Sequence, residues 1–247
     1  MYYYRLPQTP VYSVYADMLR QTHLLIAGAT GSGKSTVLNA LICTMLHRAP
    51  TEIKFIILDR KCTTLKPFMA APHCIRHARE PAEMLLTLRQ TIQLMNDRFL
   101  YMEKTGCNDF SDIYLIIDEL ADLMTTRKRD AAPLLQTIGQ LAREAKIHLL
   151  CCTQSPLREI IPTPIKCNFP ARVALKTATR QDSRNIIDMA GAEALPDPQT
   201  EHRADCLYRH GAITEHVINL PQIDDSERAE LIQFWKTAVQ HYDGIRH

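Results

Sequence analysis

The sequence predicts an α/β domain whose central sheet is mainly parallel and is flanked by helices. Short apolar segments alternate along the chain with longer segments of helical periodicity, and such alternation is typical of parallel sheets covered by crossover helices. The first apolar segment also leads through a glycine-rich turn directly into a helix. With 247 residues, the chain is long enough to bury the core of one such domain.

The predicted elements follow one another in a regular order. We predict strands at residues 23–27, 54–59, 113–118, 147–153 and 171–177. We predict helices at residues 34–47, 81–105, 133–145 and 181–190, with a charged turn at residues 127–129 before the third of them. Beyond residue 194 we expect an edge hairpin from residues 207–208 and 214–220, and then a closing helix over residues 226–242.

Composition restricts the class of protein. Hydrophobic residues make up 46% of the chain and charged residues 23%, as in soluble globular proteins, and no apolar run reaches the roughly 20 residues that span a bilayer. The sequence starts without the apolar region of a secretory signal, so we expect a cytoplasmic protein with no membrane segment of its own. Eight cysteines without C-x-x-C spacing are expected to be reduced structural thiols. The net charge of +2 does not by itself indicate nucleic-acid binding, which would need a local patch or oligomerisation.

The strongest motif runs from Gly28 to Ser35 and matches G-x-x-x-x-G-K-S between a predicted strand and a predicted helix. Glycines let successive N–H groups point at phosphates, and the helix N-terminus adds partial positive charge. We expect Lys34 to contact the β- and γ-phosphates of ATP, and the Ser35 hydroxyl to bind Mg²⁺. The predicted nucleotide-binding residues are Gly28, Ala29, Thr30, Gly31, Ser32, Gly33, Lys34, Ser35 and Thr36.

Two acidic residues end another apolar strand. Asp118 is predicted to hold Mg²⁺ together with Ser35, and Glu119 to polarise the water that attacks the γ-phosphate. The alternative is that these carboxylates only cap the following helix. Gln154, after the next strand, is positioned to sense the γ-phosphate, and its alternative role is that of a turn residue that satisfies backbone groups.

Basic residues give less specific predictions. Arg143 is a candidate for an arginine that one subunit presents to the ATP of its neighbour, and a solvated surface arginine is the alternative. Charges in clusters suit DNA phosphates, although such clusters are often just solvated faces. The candidate DNA contacts are Arg127, Lys128, Arg129, Arg158 and Lys166.

The chain from His23 to Leu195 resembles the motor domains of the FtsK/SpoIIIE family of DNA translocases. The resemblance is carried by residues 23–35, 55–59, 115–124, 141–149 and 153–156, and continues through residues 170–174, 182–184, 187–188 and 190–193. It implies a RecA-like P-loop NTPase fold over residues 23–222. Residues 1–22 would then be an N-terminal extension, and residues 223–247 a C-terminal helix that packs on the core or follows it.

The resemblance also implies a function and several roles. It implies an ATPase that uses ATP and Mg²⁺ and forms a ring of identical subunits, commonly a hexamer, around double-stranded DNA. ATP would lie between subunits, with Arg143 at the position of the family's trans-acting arginine. Gln154 falls on the motif that couples nucleotide state to DNA-contacting loops, which correspond to residues 125–132 and 155–166.

The sequence departs from larger family members in three ways. The segment before residue 23 is short, which predicts that the N-terminal motor subdomain and the membrane region are absent, and no winged-helix extension is expected. Residues 195–207 stand where a glycine-rich segment is usual. A motor of this kind is expected to serve a mobile element, in conjugative transfer or as a replication accessory, with recruitment to a membrane or replication complex. The alternatives are a protein-secretion ATPase and a nucleotide-switched accessory or helicase-loading factor.

Overall fold

The computed structural model describes residues 15, 17–48 and 52–243. Within them, eight strands form one sheet with the order β3-β2-β4-β5-β1-β6-β7-β8. Neighbours among β1 to β6 pair in parallel, and β7 and β8 add an antiparallel hairpin at one edge. The strands are β1 Leu24–Ala27, β2 Ile53–Leu58, β3 Cys74–Ala78, β4 Asp112–Ile117, β5 Ile147–Thr153, β6 Ala171–Ala174, β7 Cys206–His210 and β8 Ile213–Val217.

Helices connect the parallel strands, and local sequence signals explain several of their ends. Pro81 begins α3 behind a capping box formed by Glu80 and Glu83, and Gly106 ends it in the left-handed conformation, with φ at 69°. The helices are α1 Lys34–Arg48, α2 Lys66–Met69, α3 Pro81–Thr105, α4 Leu120–Leu141, α5 Thr163–Lys166, α6 Arg180–Ile187, α7 Pro198–Glu201 and α8 Asp225–Asp243.

The sheet is buried on both faces. In β1, Leu24 and Ile26 pack into a cluster with α1 and α8, whereas Leu25 packs into a cluster with α3 and α4. Successive side chains of a strand point to opposite faces, so a strand buried on both sides needs apolar residues throughout. This requirement explains why the central strands are visible in the sequence as short continuous apolar runs.

The register of the parallel strands brings their carboxyl ends to one edge of the sheet. Ala27 pairs with Thr153 on one side and with Ala174 on the other. Ile117 pairs with both Leu58 and Cys151. The loops after β1, β2, β4 and β5 therefore begin side by side, and ligands of open α/β sheets commonly bind at such an edge.

The predicted fold class is confirmed, as are the five predicted strands and the edge hairpin. Strand β3 was not expected from the sequence. Among the described residues it pairs with β2 alone, and three of its residues, Ile75, Arg76 and His77, are exposed. An edge strand with this composition carries no continuous apolar run, which is why its sequence does not indicate a strand.

The charged turn predicted at residues 127–129 is wrong, because these residues lie within a helix, whereas the helix predicted over residues 133–145 is confirmed over residues 133–141. Helix α4 begins directly after β4, continues through the basic residues and ends at Leu141. Arg127 alone departs from helical geometry, with φ at −137° and ψ at 29°, which kinks the helix. The helix continues because Met124, Ala131 and Ile138 are buried at seven-residue spacing, so the charges do not interrupt its apolar face.

Both predicted flanking segments contact the core where they are described. Tyr15 is fully buried and its hydroxyl donates to the carbonyl oxygen of Pro221 at 2.7 Å, and Leu231 and Ile232 of α8 are buried beside α1. The remaining predicted extension at residues 1–14 and 16, and residues 244–247, lie outside the described residues. The domain bounds therefore stay predictions. None of the helices in the described ranges has the length and apolar character needed to cross a membrane.

Candidate nucleotide-binding site

The predicted phosphate loop lies between β1 and α1, at the carboxyl edge of the sheet. Gly31 and Gly33 have φ values of 78° and 96°, a left-handed conformation that glycine adopts readily. A Cβ atom at Gly31 would collide with the Gln199 side chain, and one at Gly28 would lie 2.8 Å from Leu175 Cβ. The loop therefore requires glycine both for its turn and for its close packing.

The Lys34 ammonium group contacts the phosphate loop itself. Its Nζ donates to the carbonyl oxygens of Gly28 and Ala29, each at 2.7 Å, and the residue is only 8% exposed. Burial lowers the pKa of Lys34, and the nearby carboxylates of Glu119 and Asp118 act in the opposite direction. Both present partners are neutral carbonyls, so a phosphate anion would be a stronger acceptor for the same donors.

Glu119 joins β4, α4 and β5. Its Oε1 accepts hydrogen bonds from the backbone N–H of Ala121 at 3.0 Å and from the Thr153 hydroxyl at 2.7 Å. Its Oε2 accepts one from the backbone N–H of Gln154 at 2.9 Å. Glu119 thus caps the following helix, which was the alternative role considered from the sequence. The bonds to Thr153 and Gln154 go beyond a cap, because they tie the carboxylate to the end of β5.

The half-buried carboxylate of Asp118 lies close to a fully buried one, that of Asp59 at the end of β2. Burial and the negative charges of Asp59 and Glu119 raise the pKa of Asp118 to about 6, while Lys61 and Lys34 oppose the shift. Asp59 is 1% exposed. Asp59 was not among the predicted site residues, although the same signal marks both aspartates: each directly follows an apolar strand.

Two hydroxyl contacts connect the phosphate loop and the start of α1 to neighbouring loops. Thr30 donates to Oε1 of Gln154 at 2.8 Å, so the residue predicted to sense the γ-phosphate contacts the loop directly. Thr64 donates to Oγ of Ser35 at 3.2 Å, which brings the loop after β2 against the predicted Mg²⁺ ligand. Thr64 was missed because nothing in its local sequence marks a ligand contact.

A small cavity borders the phosphate loop beside the segment that stands in place of the family's glycine-rich sequence. Its volume is about 230 Å³. Polar groups of Thr177, Asp197 and Gln199 line it together with the loop, and this position suits the ribose or base of a nucleotide. Its lining residues are Ala29, Thr30, Gly31, Ser32, Lys176, Thr177, Ala178, Asp197, Pro198 and Gln199.

Arg143 lies on the opposite side of the sheet from the phosphate loop, near the amino end of β5. It is exposed and precedes β5, whereas Lys34 and Glu119 follow the carboxyl ends of β1 and β4. The length of β5, roughly 20 Å, separates the two edges. Arg143 therefore does not reach the nucleotide site of its own subunit. Among the described residues its side chain has no ion pair.

The candidate DNA contacts fall into two groups. Arg127, Lys128 and Arg129 are exposed along α4, around its kink. Arg158 and Lys166 lie elsewhere, in a cleft of about 420 Å³ formed by the segment after β5 and by α6. We call this second location the basic cleft. Its lining residues are Arg158, Ile161, Thr163, Lys166, Cys167, Arg172, Gln181, Arg184, Asn185 and Asp188.

The basic cleft contains four cationic side chains and one carboxylate. Asp188 pairs with Lys166 at 2.6 Å and with Arg172 at 2.5 Å, so these two cations are partly neutralised. Arg158 and Arg184 are exposed and form no ion pair within the described part of the chain. The cleft is therefore net positive. Sequence reasoning missed Arg184 because only the fold brings α6 beside Lys166.

Comparison with known proteins identifies the family. The sequence model of the FtsK/SpoIIIE family matches residues 8–114. The DNA translocase FtsK of Chlorobaculum tepidum is 35% identical over 202 residues, which cover 72% of this chain and 25% of that protein. This chain thus spans about a quarter of the length of that relative.

Solved structures share the fold. The pCW3 conjugation coupling protein TcpA, in its monomer form with ATPγS, gives a TM-score of 0.74 at 21% identity, covering 87% of this chain and 66% of that one. The cytoplasmic domain of the Thermomonospora curvata type VII secretion ATPase EccC gives 0.72 at 19% identity, covering 87% and 28%. The agreement of family model, sequence relative and P-loop ATPase fold shows that this chain belongs to the FtsK/SpoIIIE family.

Proposed function

We propose that this chain is an ATPase in which hydrolysis of ATP drives movement along double-stranded DNA. One observation carries the proposal: hydrogen bonds run from Thr30 through Gln154 to Glu119, joining the phosphate loop to the carboxylate suited to polarise water. Gln154 is also the first residue after β5, in the segment that leads to the basic cleft. A change at the γ-phosphate would therefore act directly on a segment suited to DNA phosphates.

The residues present fit ATP and Mg²⁺. The phosphates would lie against residues 28–36, with Lys34 at the β- and γ-phosphates. Ser35 and Asp118 would hold Mg²⁺, which prefers oxygen ligands and keeps several waters. The Ser32 hydroxyl is buried and has no hydrogen-bond partner among the described residues, as expected of a group inside a phosphate loop. When bound, Mg²⁺ neutralises part of the negative charge on the β- and γ-phosphates.

Glu119 is suited to orient the attacking water. A carboxylate has about four acceptor positions, and Ala121, Thr153 and Gln154 occupy three of them, so one remains for that water. The water oxygen forms a bond to the γ-phosphorus as the bond to the oxygen bridging to the β-phosphate breaks, leaving ADP and inorganic phosphate. Glu119 holds the proton that the water loses.

Assembly into a ring of identical subunits, with six as the family's common number, is part of the proposal. Arg143 supports it because the residue lies at the sheet edge opposite its own Lys34 and is exposed. An arginine supplied by a neighbour can stabilise the charge that develops during phosphoryl transfer. A ring would also bring several basic clefts, and the exposed residues 127–129 of several subunits, around one duplex.

We place this motor in the cytoplasm, in the service of a mobile element. Conjugative transfer and a replication accessory role are the two settings, with recruitment to a membrane or replication complex. The fold shared with a conjugation coupling protein supports the first of them. The fold of a secretion ATPase is nearly as similar, but the basic cleft favours DNA over a protein cargo.

The test is ATP hydrolysis measured with and without duplex DNA over a range of salt concentrations. We expect duplex DNA to stimulate hydrolysis several-fold at low salt, with less stimulation as salt rises. Lys34→Ala should remove nucleotide binding and hydrolysis, and Glu119→Gln should bind ATP but not hydrolyse it. Displacement of a triplex-forming strand then separates stepping from a nucleotide switch.

The outcomes distinguish the candidate functions. If duplex DNA leaves the rate of hydrolysis unchanged at every salt concentration, the translocase function is rejected and a protein-secretion ATPase is favoured. Stimulation without triplex displacement would indicate a nucleotide-switched accessory. The proposal would be supported in full if Lys34→Ala lost hydrolysis, and if the unmodified chain showed both DNA-stimulated hydrolysis and displacement of the triplex-forming strand.

A further inference from the structure

We infer that Asp59 is a positioning residue of the metal site, whose free carboxylate oxygen accepts a hydrogen bond from a water bound to Mg²⁺. This inference rests on the proposed function, because it concerns the metal that would accompany ATP. It adds to Ser35 and Asp118 a third oxygen-bearing residue, supplied by the end of β2. Three observations support the inference: the position of Asp59 beside Asp118, the incomplete hydrogen bonding of its carboxylate, and the contact between the loop that follows it and Ser35.

Asp59 and Asp118 occupy equivalent positions at the ends of neighbouring strands. Leu58 of β2 pairs with Ile117 of β4, and the backbone N–H of Asp118 donates to the carbonyl oxygen of Leu58 at 3.1 Å. Residues in register on adjacent parallel strands project in the same direction. The two carboxylates therefore lie side by side at the edge of the sheet where the phosphate loop begins.

The carboxylate of Asp59 has one satisfied oxygen and one that lacks a partner. Oδ1 accepts a hydrogen bond from the backbone N–H of Cys62 at 2.9 Å, which closes the turn after β2. Oδ2 is fully buried and has no hydrogen-bond partner among the described residues. A buried carboxylate oxygen without a donor is unfavourable, so such an atom in a native protein normally faces water or a ligand.

The same loop contacts the other side of the metal site. Thr64 donates to Oγ of Ser35 at 3.2 Å, so the loop after β2 spans from Asp118 to Ser35. Lys34 is not the missing donor, because its Nζ donates to Gly28 and Ala29. Water molecules held by Mg²⁺ are strong donors and would lie between these groups. Outer-shell carboxylates of this kind orient metal ligands in many proteins.

The competing explanation is that Asp59 only closes the turn through Oδ1. Asparagine separates the two roles, since its side-chain oxygen still accepts from Cys62 while the free carboxylate oxygen becomes an amide. Asp59→Asn should therefore fold as the unmodified chain does. Asp59→Ala removes both oxygens, so the difference in stability between Asp59→Ala and Asp59→Asn reports on the turn contact with Cys62.

The experiment measures binding of a fluorescent, non-hydrolysable ATP analogue as a function of Mg²⁺ concentration, with a parallel titration in EDTA. For Asp59→Asn we expect the Mg²⁺ needed for half-maximal enhancement of binding to rise about tenfold or more. Affinity in EDTA should stay unchanged. Titration with Mn²⁺, followed by electron paramagnetic resonance with the analogue bound, should show the same weakening without any need for hydrolysis.

Asp118→Asn serves as a positive control, and Asp97→Asn, which removes an exposed carboxylate on α3, is the matched negative control. Equal Mg²⁺ and Mn²⁺ dependence in Asp59→Asn and the unmodified chain would overturn the role of Asp59 while leaving the proposed ATPase intact. Analogue binding that is independent of the metal in the unmodified chain would overturn both. Weakening in both aspartate variants, but not in Asp97→Asn, supports the inference.

Discussion

Thr30 of the phosphate loop donates a hydrogen bond to Gln154, 124 residues later in the chain, across 2.8 Å. The two residues follow neighbouring strands, β1 and β5, which are paired up to Ala27 and Thr153. The contact makes Gln154 the point at which the nucleotide loop and the loop toward the basic cleft meet. A substitution at Gln154 can therefore test nucleotide binding and the stimulation of hydrolysis by DNA independently.

Gln154→Ala should uncouple DNA from hydrolysis. The shortened side chain cannot accept from Thr30, whereas the bond from the backbone N–H of residue 154 to Glu119 is kept, so the Glu119 carboxylate stays in place. We expect nucleotide affinity within about twofold of the unmodified chain and little or no stimulation of hydrolysis by duplex DNA. Gln90→Ala, at an exposed position on α3, is the control. Full stimulation in Gln154→Ala would show that the hydrogen bond carries no signal.

Gly31→Ala should weaken nucleotide binding without unfolding the protein. The residue has φ at 78°, which alanine adopts only with strain, so we expect the loop to relax away from this conformation, whereas the end of the flexible Gln199 side chain can move aside from an added Cβ. Strain of this kind costs about 1–3 kcal/mol, which corresponds to roughly tenfold or more in affinity for an ATP analogue.

Gly106→Ala provides a matched control for Gly31→Ala. Gly106 also has a positive φ, 69°, but no atom of the described part of the chain lies within 4 Å of an added Cβ, and the residue ends α3 and is not part of the phosphate loop. It should lower the free energy of unfolding by about 1 kcal/mol and leave nucleotide affinity unchanged. Equal effects of the two substitutions on affinity would mean that the loop geometry at Gly31 is not required.

The phosphate loop and the acidic pair could be predicted because each is a contiguous motif attached to its own strand. The relationship of Asp59 to Asp118 could not, since it depends on β2 lying beside β4, and strand order in a sheet is not encoded in local periodicity. The same holds for Arg184, which the fold brings into the cleft with Lys166. Contacts between residues on neighbouring strands, and between helices distant in sequence, could therefore not be predicted from the sequence.

The error at residues 127–129 has a different cause. A run of three basic residues before Pro133 is typical of a turn, but the buried face formed by Met124, Ala131 and Ile138 continues through it. Tertiary packing outweighed local preference, and the local conflict remains visible only as the kink at Arg127.

His23 should make stability fall as the pH drops below 6.5. Burial lowers the pKa of His23 from 6.5 to about 4, with smaller contributions from the charges of His148 and Arg143. Its Nδ1 accepts a hydrogen bond from the backbone N–H of Leu149 at 2.8 Å, which requires the neutral ring. Because the folded-state pKa is depressed, the stabilisation is fully present above the unfolded-state value and is lost as the pH falls toward 4.

The expected loss between pH 7 and pH 4 is on the order of 3 kcal/mol in the free energy of unfolding. Urea unfolding at several pH values measures it. His23→Gln should lower stability at pH 7 but flatten this part of the pH profile, whereas His77→Gln, at an exposed position on β3, should leave the profile unchanged. An unaltered slope in His23→Gln would assign the pH dependence to other groups.

Arg184→Ala should weaken binding to duplex DNA without a change in nucleotide affinity. The guanidinium is exposed in the basic cleft and has no ion pair within the described residues, so its removal breaks no internal ion pair there. We expect the slope of log affinity against log salt concentration to decrease by about 1 for each DNA phosphate that the variant no longer neutralises. Arg89→Ala, exposed on α3, is the charge-matched control. Equal weakening in both variants would indicate nonspecific attraction rather than DNA binding in the cleft.

Arg143 allows the ring to be tested by mixing two inactive variants. Lys34→Ala should not bind nucleotide, and Arg143→Ala should bind it but hydrolyse it at least about 10³-fold more slowly. If each site combines Lys34 of one subunit with Arg143 of the next, a randomly mixed ring contains intact sites at about a quarter of its interfaces. Mixing should therefore restore DNA-stimulated hydrolysis that neither variant shows alone. A ring in which both residues served the same subunit would stay inactive after mixing, and normal hydrolysis by Arg143→Ala alone would make Arg143 a solvated surface residue.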